Sequence, residues 1–293
     1  MKAVSYSLFC RRTMMSTKVI CLFSFVLMVS QAGNTAEVAR WDFDETSGTT
    51  ATDQSGLYVA TLQGSDTLDV DGKFGSGIDF AGDGGMIVDA ANSEAFRFTG
   101  DFSIALWINP DTADDDFVRL IDFTGASGGL ADSYRLMLNS NGAADQFRFL
   151  SRQGGANLNL IHTRDLALDT WTLLAVRYDL DGDITLNVLQ DDDGVDGAFV
   201  GTNSESWATV SSIEYAPGDL DFGTIPNNGG RKFDGQMDSI VFYDELLTDA
   251  QVVDLFYGLG SEAIAASPKP ADEAIDVLRD VVLSWEPGEL AST

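Results

Sequence analysis

Between Val38 and Asp244 the chain is written in short runs in which apolar and polar residues alternate. Examples are "VARWDFD" (38–44), "GIDF" (77–80), "DFSIALWINP" (101–110), "FVRLIDF" (117–123), "YRLMLN" (134–139), "QFRFL" (146–150), "WTLLAVRYD" (171–179), "DITLNVL" (183–189) and "QMDSIVFYD" (236–244). A period of two, bounded by Gly, Asp and Asn, is that of a strand with one face buried. Many such runs with no helical pattern between them predict an all-β sandwich or barrel. "DLDGD" (179–183) predicts a hairpin between two of them.

One helix interrupts the pattern. Thr248 and Gln251 have capping-box spacing, and Val252, Leu255, Phe256 and Leu259 form an apolar stripe that Gly258 or Gly260 can end. The stripe predicts a helix laid against the sandwich.

In the last strand, Ile240 and Phe242 alternate like core residues. Counting back by two puts Asp238 on the same face. A carboxylate there costs several kcal/mol, on the order of ~3–5, unless it is partnered.

The two ends read differently. Lys2, Arg11, Arg12 and Lys18 precede the apolar run "VICLFSFVLMV" (19–29), and small residues follow. This predicts a secretory signal over residues 1–36, cut after Ala32 or Ala36, because the run falls well short of the ~20 residues of a membrane span. Both cysteines, Cys10 and Cys21, lie inside that segment, so the mature chain is expected to have no disulfide. Residues 37–262 form the main domain. From residue 263 a Pro-containing linker leads to "VVLSW" (281–285), which predicts the truncated start of a second β-sandwich module.

Charge narrows the partners. The segment 1–36 holds four of the 17 basic residues and none of the 46 acidic ones, so the mature net charge is 13 − 46 = −33. Nucleic acid and anionic membrane surfaces are disfavoured, and no membrane insertion is expected after cleavage. Most of the acids are Asp, which suits turns, a solvated acidic surface and calcium shells.

Five segments carry a family likeness: "ARWDFDETSGTTATDQSG" (39–56), "GKFGSGIDFAGDGGMIV" (72–88), "FSIALWINP" (102–110), "WTLLAVRYDLDGDITLNV" (171–188) and "FDGQMDSIVFYDELLTDAQVVDL" (233–255). Together they resemble the laminin G-like, concanavalin A-like jelly-roll domains of exported bacterial proteins. The tail from Ser267 resembles the opening of a fibronectin type III-like module. The resemblance implies two face-to-face antiparallel sheets of about six or seven strands each. It also implies a secreted or cell-surface module that binds a glycan or an extracellular protein.

The resemblance further implies that Asp238 meets the loop "TDQSG" (52–56). Asp53, Asp238 and the carbonyls around Gly56 would then form an oxygen shell for a structural calcium. Otherwise Asp238 accepts N–H donors from that loop, or sits at a bulge facing water. "DLDGD" and "DDDGVDG" (191–197) lack the twelfth-position Glu of a helix–loop–helix calcium loop and read as turns.

Catalysis finds little support. His162 is the only histidine and is expected on an exposed strand or loop. Glu94, Glu205 and Glu214 stand apart, in expected loops, without the Glu-x-Asp-x-x-Glu spacing of sandwich glycanases. The sequence therefore predicts a non-catalytic binding module. The alternatives are an accessory domain of a secreted polysaccharide-degrading enzyme, or a structural spacer. Trp41, Trp107 and Trp171 lie in strand patterns and read as core. The candidate ligand-binding aromatics are Trp207, Tyr215 and Tyr134, which lie in less regular stretches or at a strand start.

Overall fold

A computed structural model describes residues 37–112, 117–124, 133–140, 145–153, 155–191, 204–208, 212–225, 230–258, 266–269 and 284–286. The expected signal with its cleavage points and both cysteines, nearly all of the 191–197 aspartate run, and Leu259 and Gly260 lie outside the described residues.

The strands in chain order are β1 (Glu37–Trp41), β2 (Thr50–Thr52), β3 (Val59–Gln63), β4 (Thr67–Asp71), β5 (Ser76–Ala81), β6 (Gly85–Val88), β7 (Phe102–Pro110), β8 (Arg119–Thr124) and β9 (Ser133–Ser140). They continue as β10 (Asp145–Gln153), β11 (Ala156–His162), β12 (Thr172–Tyr178), β13 (Asp183–Gln190), β14 (Ser204–Ala208), β15 (Leu220–Phe222) and β16 (Asp234–Tyr243). Helix α1 (Asp249–Phe256) follows, then β17 (Ala266–Lys269) and β18 (Ser284–Glu286).

Sheet A runs β14-β13-β12-β7-β16-β5-β4, with β1 also paired to β16. Sheet B runs β11-β10-β9-β8-β15-β6-β3-β2. Each holds eight strands, more than the six or seven the resemblance implied. The fold is the expected all-β, two-sheet antiparallel jelly-roll sandwich, with one short α-helix among the described residues. β17 and β18 form a separate pair.

The inner faces make one continuous core. Trp41 lies at its centre, with ring centroids 5.1 Å from Phe222, 5.9 Å from Phe96 and 6.2 Å from Phe242. Each such side chain withdrawn from water contributes roughly 1.5–3 kcal/mol, which offsets the chain entropy of ordering so many strands.

The outer face of sheet A is also apolar. Ala105, Trp107, Leu173, Ala175, Leu189 and Val241 cannot be left in water, and α1 covers them with Val252, Leu255 and Phe256. Trp107 Nε1 donates to the carbonyl of Leu255 at 3.4 Å. The capping box is present at the helix start, and Gly258 follows its end at φ +70°, a left-handed position natural to glycine.

The face of Asp238 is corrected by the structure. Asp238 pairs with Trp107, whereas Val241 pairs with Ala105, so β16 contains one extra residue between them. Ser239, with φ 48°, sits in that β-bulge. The bulge shifts the phase of the strand. Met237 and Ile240 both face the core, while Asp238 turns outward beside Trp107. It remains fully buried there, because the turn after β4 folds over it.

Loss of the helix cap should be visible in the melt. Thr248→Ala is expected to cost about 1 kcal/mol, lowering the midpoint by about 2–4 °C for a domain of this size. Differential scanning calorimetry reads it; an unchanged midpoint would mean that α1 is not needed to close sheet A.

Candidate functional site

Two clusters of buried charge stand out. The first joins the chain's early segment to β16. Phe74 N–H donates to Asp238 Oδ2 at 2.8 Å, and Ser239 Oγ lies 3.2 Å from both Asp238 Oδ1 and Asp42 Oδ1. Gln54 Nε2 donates to Asp42 Oδ2, so the 52–56 loop reaches Asp238 through Gln54, Asp42 and Ser239. Gly72 is required here, since a Cβ would sit 2.5 Å from the Ser76 carbonyl and 2.9 Å from Asp238 Oδ2.

Burial first, and Asp42 second among the raising influences, pushes Asp238 up to about 7; Asp42 is also raised, mainly by burial. The Arg40 guanidinium, 3.8 Å from Asp42 Oδ1, offsets part of the charge that the two carboxylates bring into this confined space.

Asp53 is oriented differently. Its carboxylate accepts from Ser55 N (3.0 Å), Ser55 Oγ (2.6 Å), Leu57 N (2.8 Å) and Tyr58 N (2.7 Å), all within its own loop. Gly56, at φ 74°, donates its N–H to the Asp53 carbonyl. The carboxylate facing Asp238 is therefore Asp42. A cation here would find two carboxylates, a hydroxyl and a carboxamide, which are hard oxygen donors of the kind calcium takes. No cluster of three or more His, Cys, Asp or Glu groups suited to a metal occurs among the described residues, so neutral oxygens would have to complete the shell.

The second cluster lies on the outer face of sheet B, and sequence reading missed it. Cross-strand pairing sets one row across eight strands: Asn159, Leu150, Arg135, Asp122, Asp221, Ile87, Thr61 and Thr50. The sequence neighbours of Asp122 and Asp221 (Ile121, Phe123, Leu220 and Phe222) all enter the core, so the two aspartates point outward.

Asp122 Oδ2 lies 2.8 Å from Arg119 Nε and 2.9 Å from Arg135 Nε, and all three side chains are buried. Asp221, directly opposite Asp122, is 0% exposed, and among the described residues neither of its oxygens has a hydrogen-bond partner. Burial, then Asp122 and Asp219, pushes it up to about 8, which favours the neutral acid near pH 7.

Above this floor lies Phe117, half-buried and at φ 64°. The guanidinium carbons of Arg148 and Arg231 sit 5.3 and 5.4 Å from its ring centroid. Arg231 also has positive φ, 71°. Left-handed backbone at bulky residues costs on the order of 1–3 kcal/mol and tends to gather at working surfaces.

The predicted aromatics separate. Tyr134 is corrected: it is 0% exposed, packs against Phe102, Phe123 and Phe149, and donates its hydroxyl to the Phe96 carbonyl at 3.2 Å. It has no face to offer a ligand. Tyr215 is half-buried against Phe123 and Tyr134. Trp207 is 45% exposed, on edge strand β14 opposite Ile184. Glu205 is in that strand too, not in a loop, and bonds Thr163 at 3.0 Å. His162 is buried, against expectation, with Nδ1 accepting from Arg164 N at 3.0 Å. Trp41 and Trp107 are core as expected, and Trp171 is partly buried against the α1 cluster.

The raised Asp221 sets a pH dependence. An acid whose folded value lies above its unfolded one near 3.9 stabilises fully below about pH 4, and that contribution is lost as pH rises through 8. Asp221→Asn should therefore flatten the fall in melting midpoint between pH 5 and 9. An unchanged pH profile would show that Asp221 is ionised and partnered.

Residues 81–253 match the family described as the concanavalin A-like lectin/glucanases superfamily. No curated protein sequence matches the chain. Among solved structures, domain 4 of the extracellular arabinanase AbnA from Geobacillus stearothermophilus, in complex with arabinotriose, is similar at 17% identity and TM-score 0.54, covering 75% of this chain and 98% of that one. The binding domain of Paraclostridial Mosquitocidal Protein 1 is similar at 15% identity and TM-score 0.57, covering 79% of this chain and 54% of that one. The binding domain of botulinum neurotoxin DC, in complex with SialylT, is similar at 13% identity and TM-score 0.54, covering 80% and 53%. The chain thus spans about half the length of these two binding domains. With more than half its residues matched to the family and its strands folded as a two-sheet jelly roll, the chain belongs to the concanavalin A-like lectin/glucanases superfamily.

Proposed function

We propose that this chain is a non-catalytic module of a secreted or cell-surface protein that binds a glycan. One observation carries the reading. The outer face of sheet A is closed by α1, whereas that of sheet B holds a half-exposed ring, guanidinium groups and the amides of Asn157 and Asn159 over a rigid ionic floor. Amides and guanidinium groups can bond sugar hydroxyls while an aromatic ring takes the apolar C–H face. The arabinotriose on the similar arabinanase domain supports the same ligand class. It also favours a second reading, an accessory role beside a polysaccharide-degrading enzyme.

The glutamates speak for binding rather than hydrolysis. Glu94 pairs with Arg97, Glu205 with Thr163 and Glu214 with Arg152, each in its own neighbourhood. The two close aspartates are spoken for, one clamped between arginines and the other buried and protonated.

The test is a glycan array followed by titration calorimetry on the best ligand. Phe117→Ala should weaken binding about tenfold or more, the usual weight of an aromatic anchor. Trp207→Ala should have a smaller effect. Loss on Trp207→Ala alone would move the site to the edge of the sandwich, and binding to no glycan would defeat the reading.

A structural calcium belongs to the same proposal, held by Asp42 and Asp238 and adding to the positive charge that Arg40 brings within 3.8 Å of Asp42 Oδ1. Asp53 and Gly56 would serve by shaping the loop that carries Gln54. Without an ion, Asp238, raised to about 7, stabilises fully below about pH 4 and loses that contribution as pH rises through 7. Chelated protein should therefore melt lower at pH 8 than at pH 5, and calcium should restore the midpoint mainly at pH 8. Calcium at ~100 times its dissociation constant adds about 2.7 kcal/mol. Asp238→Asn should abolish that calcium dependence, and sodium chloride at matched ionic strength is the control. If chelator and calcium give the same midpoint at pH 8, the junction holds no metal.

A further inference from the structure

The sheet B face also indicates the kind of glycan. Beyond residue 36 the chain has thirteen basic residues against 46 acidic ones, so arginines should rarely lack a carboxylate. Most follow this rule. Arg40 meets Glu37, Arg97 meets Glu94, Arg152 meets Glu214, Arg177 meets Asp249, and Arg119 and Arg135 share Asp122.

Arg148 and Arg231 are different. Neither pairs with a carboxylate among the described residues, yet their guanidinium carbons lie 5.3 and 5.4 Å from the centroid of one ring, that of Phe117. Arg148 Nε donates to the neutral amide oxygen of Asn159. Neither guanidinium is fully exposed, so each forgoes some hydration without an ion pair in return. Beneath them, Arg119 and Arg135 both meet Asp122, and the opposing Asp221 adds little negative charge while it keeps its proton. Among the described residues the patch therefore carries surplus positive charge in a chain of opposite sign.

We propose that Arg148 and Arg231 bind the acidic group of a sugar, a carboxylate or a sulfate, while Phe117 stacks on the same residue's ring, making the ligand an acidic polysaccharide. This rests on the glycan reading above. Planar guanidinium groups match both oxyanions with paired N–H donors, and ring and charge together suit a substituted pyranose. The acidic remainder of the surface does not prevent this. At physiological salt its field is screened beyond about 8 Å, whereas contacts at the patch are direct.

Four probes decide it by titration calorimetry: an oligogalacturonide, the same oligomer as its methyl ester, a sulfated galactan oligosaccharide, and its desulfated form. The acidic member of at least one pair should bind about tenfold or more tighter than its neutral counterpart, and which pair does so tells carboxylate from sulfate. Arg148→Gln with Arg231→Gln should erase that preference and leave residual binding equal for both members. Arg148→Lys with Arg231→Lys, which keeps the charge but not the fork, should retain part of it. The melting midpoint of each variant controls for folding, and if the Gln pair unfolds, the Lys pair and the wild-type preference still decide. Equal affinity within both pairs overturns this inference but leaves the glycan reading standing. An acidic preference that survives intact in the Gln and Lys pairs also overturns it. Failure to bind these four probes or any glycan of the array removes both.

Discussion

A sheet packed on one face still has a second, and in this sandwich the two outer faces are resolved in opposite ways. Sheet A presents Trp107, Leu173, Leu189 and Val241 outward and must be covered, which fixes the place of α1. Sheet B presents Arg119, Asp122, Arg135 and Asp221, a buried row in which the two arginines meet Asp122 and burial favours the protonated form of Asp221. The helix thus decides more than stability. By closing one face it leaves the other as the broad polar surface on a rigid support, which is where a binding site is best held.

The seam of the fold obeys a related constraint. β16 lies between β7 and, at its two halves, β5 and β1, so the first and last strands of the domain meet on it. A bulge at Ser239 lets the strand serve both sheet faces. It keeps Met237 and Ile240 in the core while turning Asp238 out to hold the turn at Phe74. The strain of a left-handed serine is offset by the bonds its hydroxyl makes between Asp42 and Asp238.

Much of this was legible in the sequence. Alternation gave the strands, and Thr248 with Gln251 gave the helix start, because both signals are local. The face of Asp238 was not legible, since a one-residue bulge reverses alternation without changing composition. Tyr134 was misjudged beside a glycine-rich loop, although Tyr134, Leu136 and Leu138 form one core-facing series. The Arg119–Asp122–Arg135–Asp221 floor was hidden for another reason. Each member reads as an ordinary outward polar residue between core positions, and only strand register reveals that Asp221 opposes Asp122. The signal available in advance was the sandwiched charge in "RLIDF", "YRLML" and "LDF", three strands that the sequence gives no way to align.

The central claim is that ligand binds on the outer face of sheet B and not on sheet A or the sandwich edge. The most direct measurement is amide chemical-shift mapping of the assigned protein during titration with the best glycan from an array. The account predicts the largest shifts at Phe117, Arg119, Arg148, Asn159 and Arg231, with β13, β14 and α1 nearly unmoved. Shifts centred on Trp207 and β14, or on the residues of α1, would contradict it.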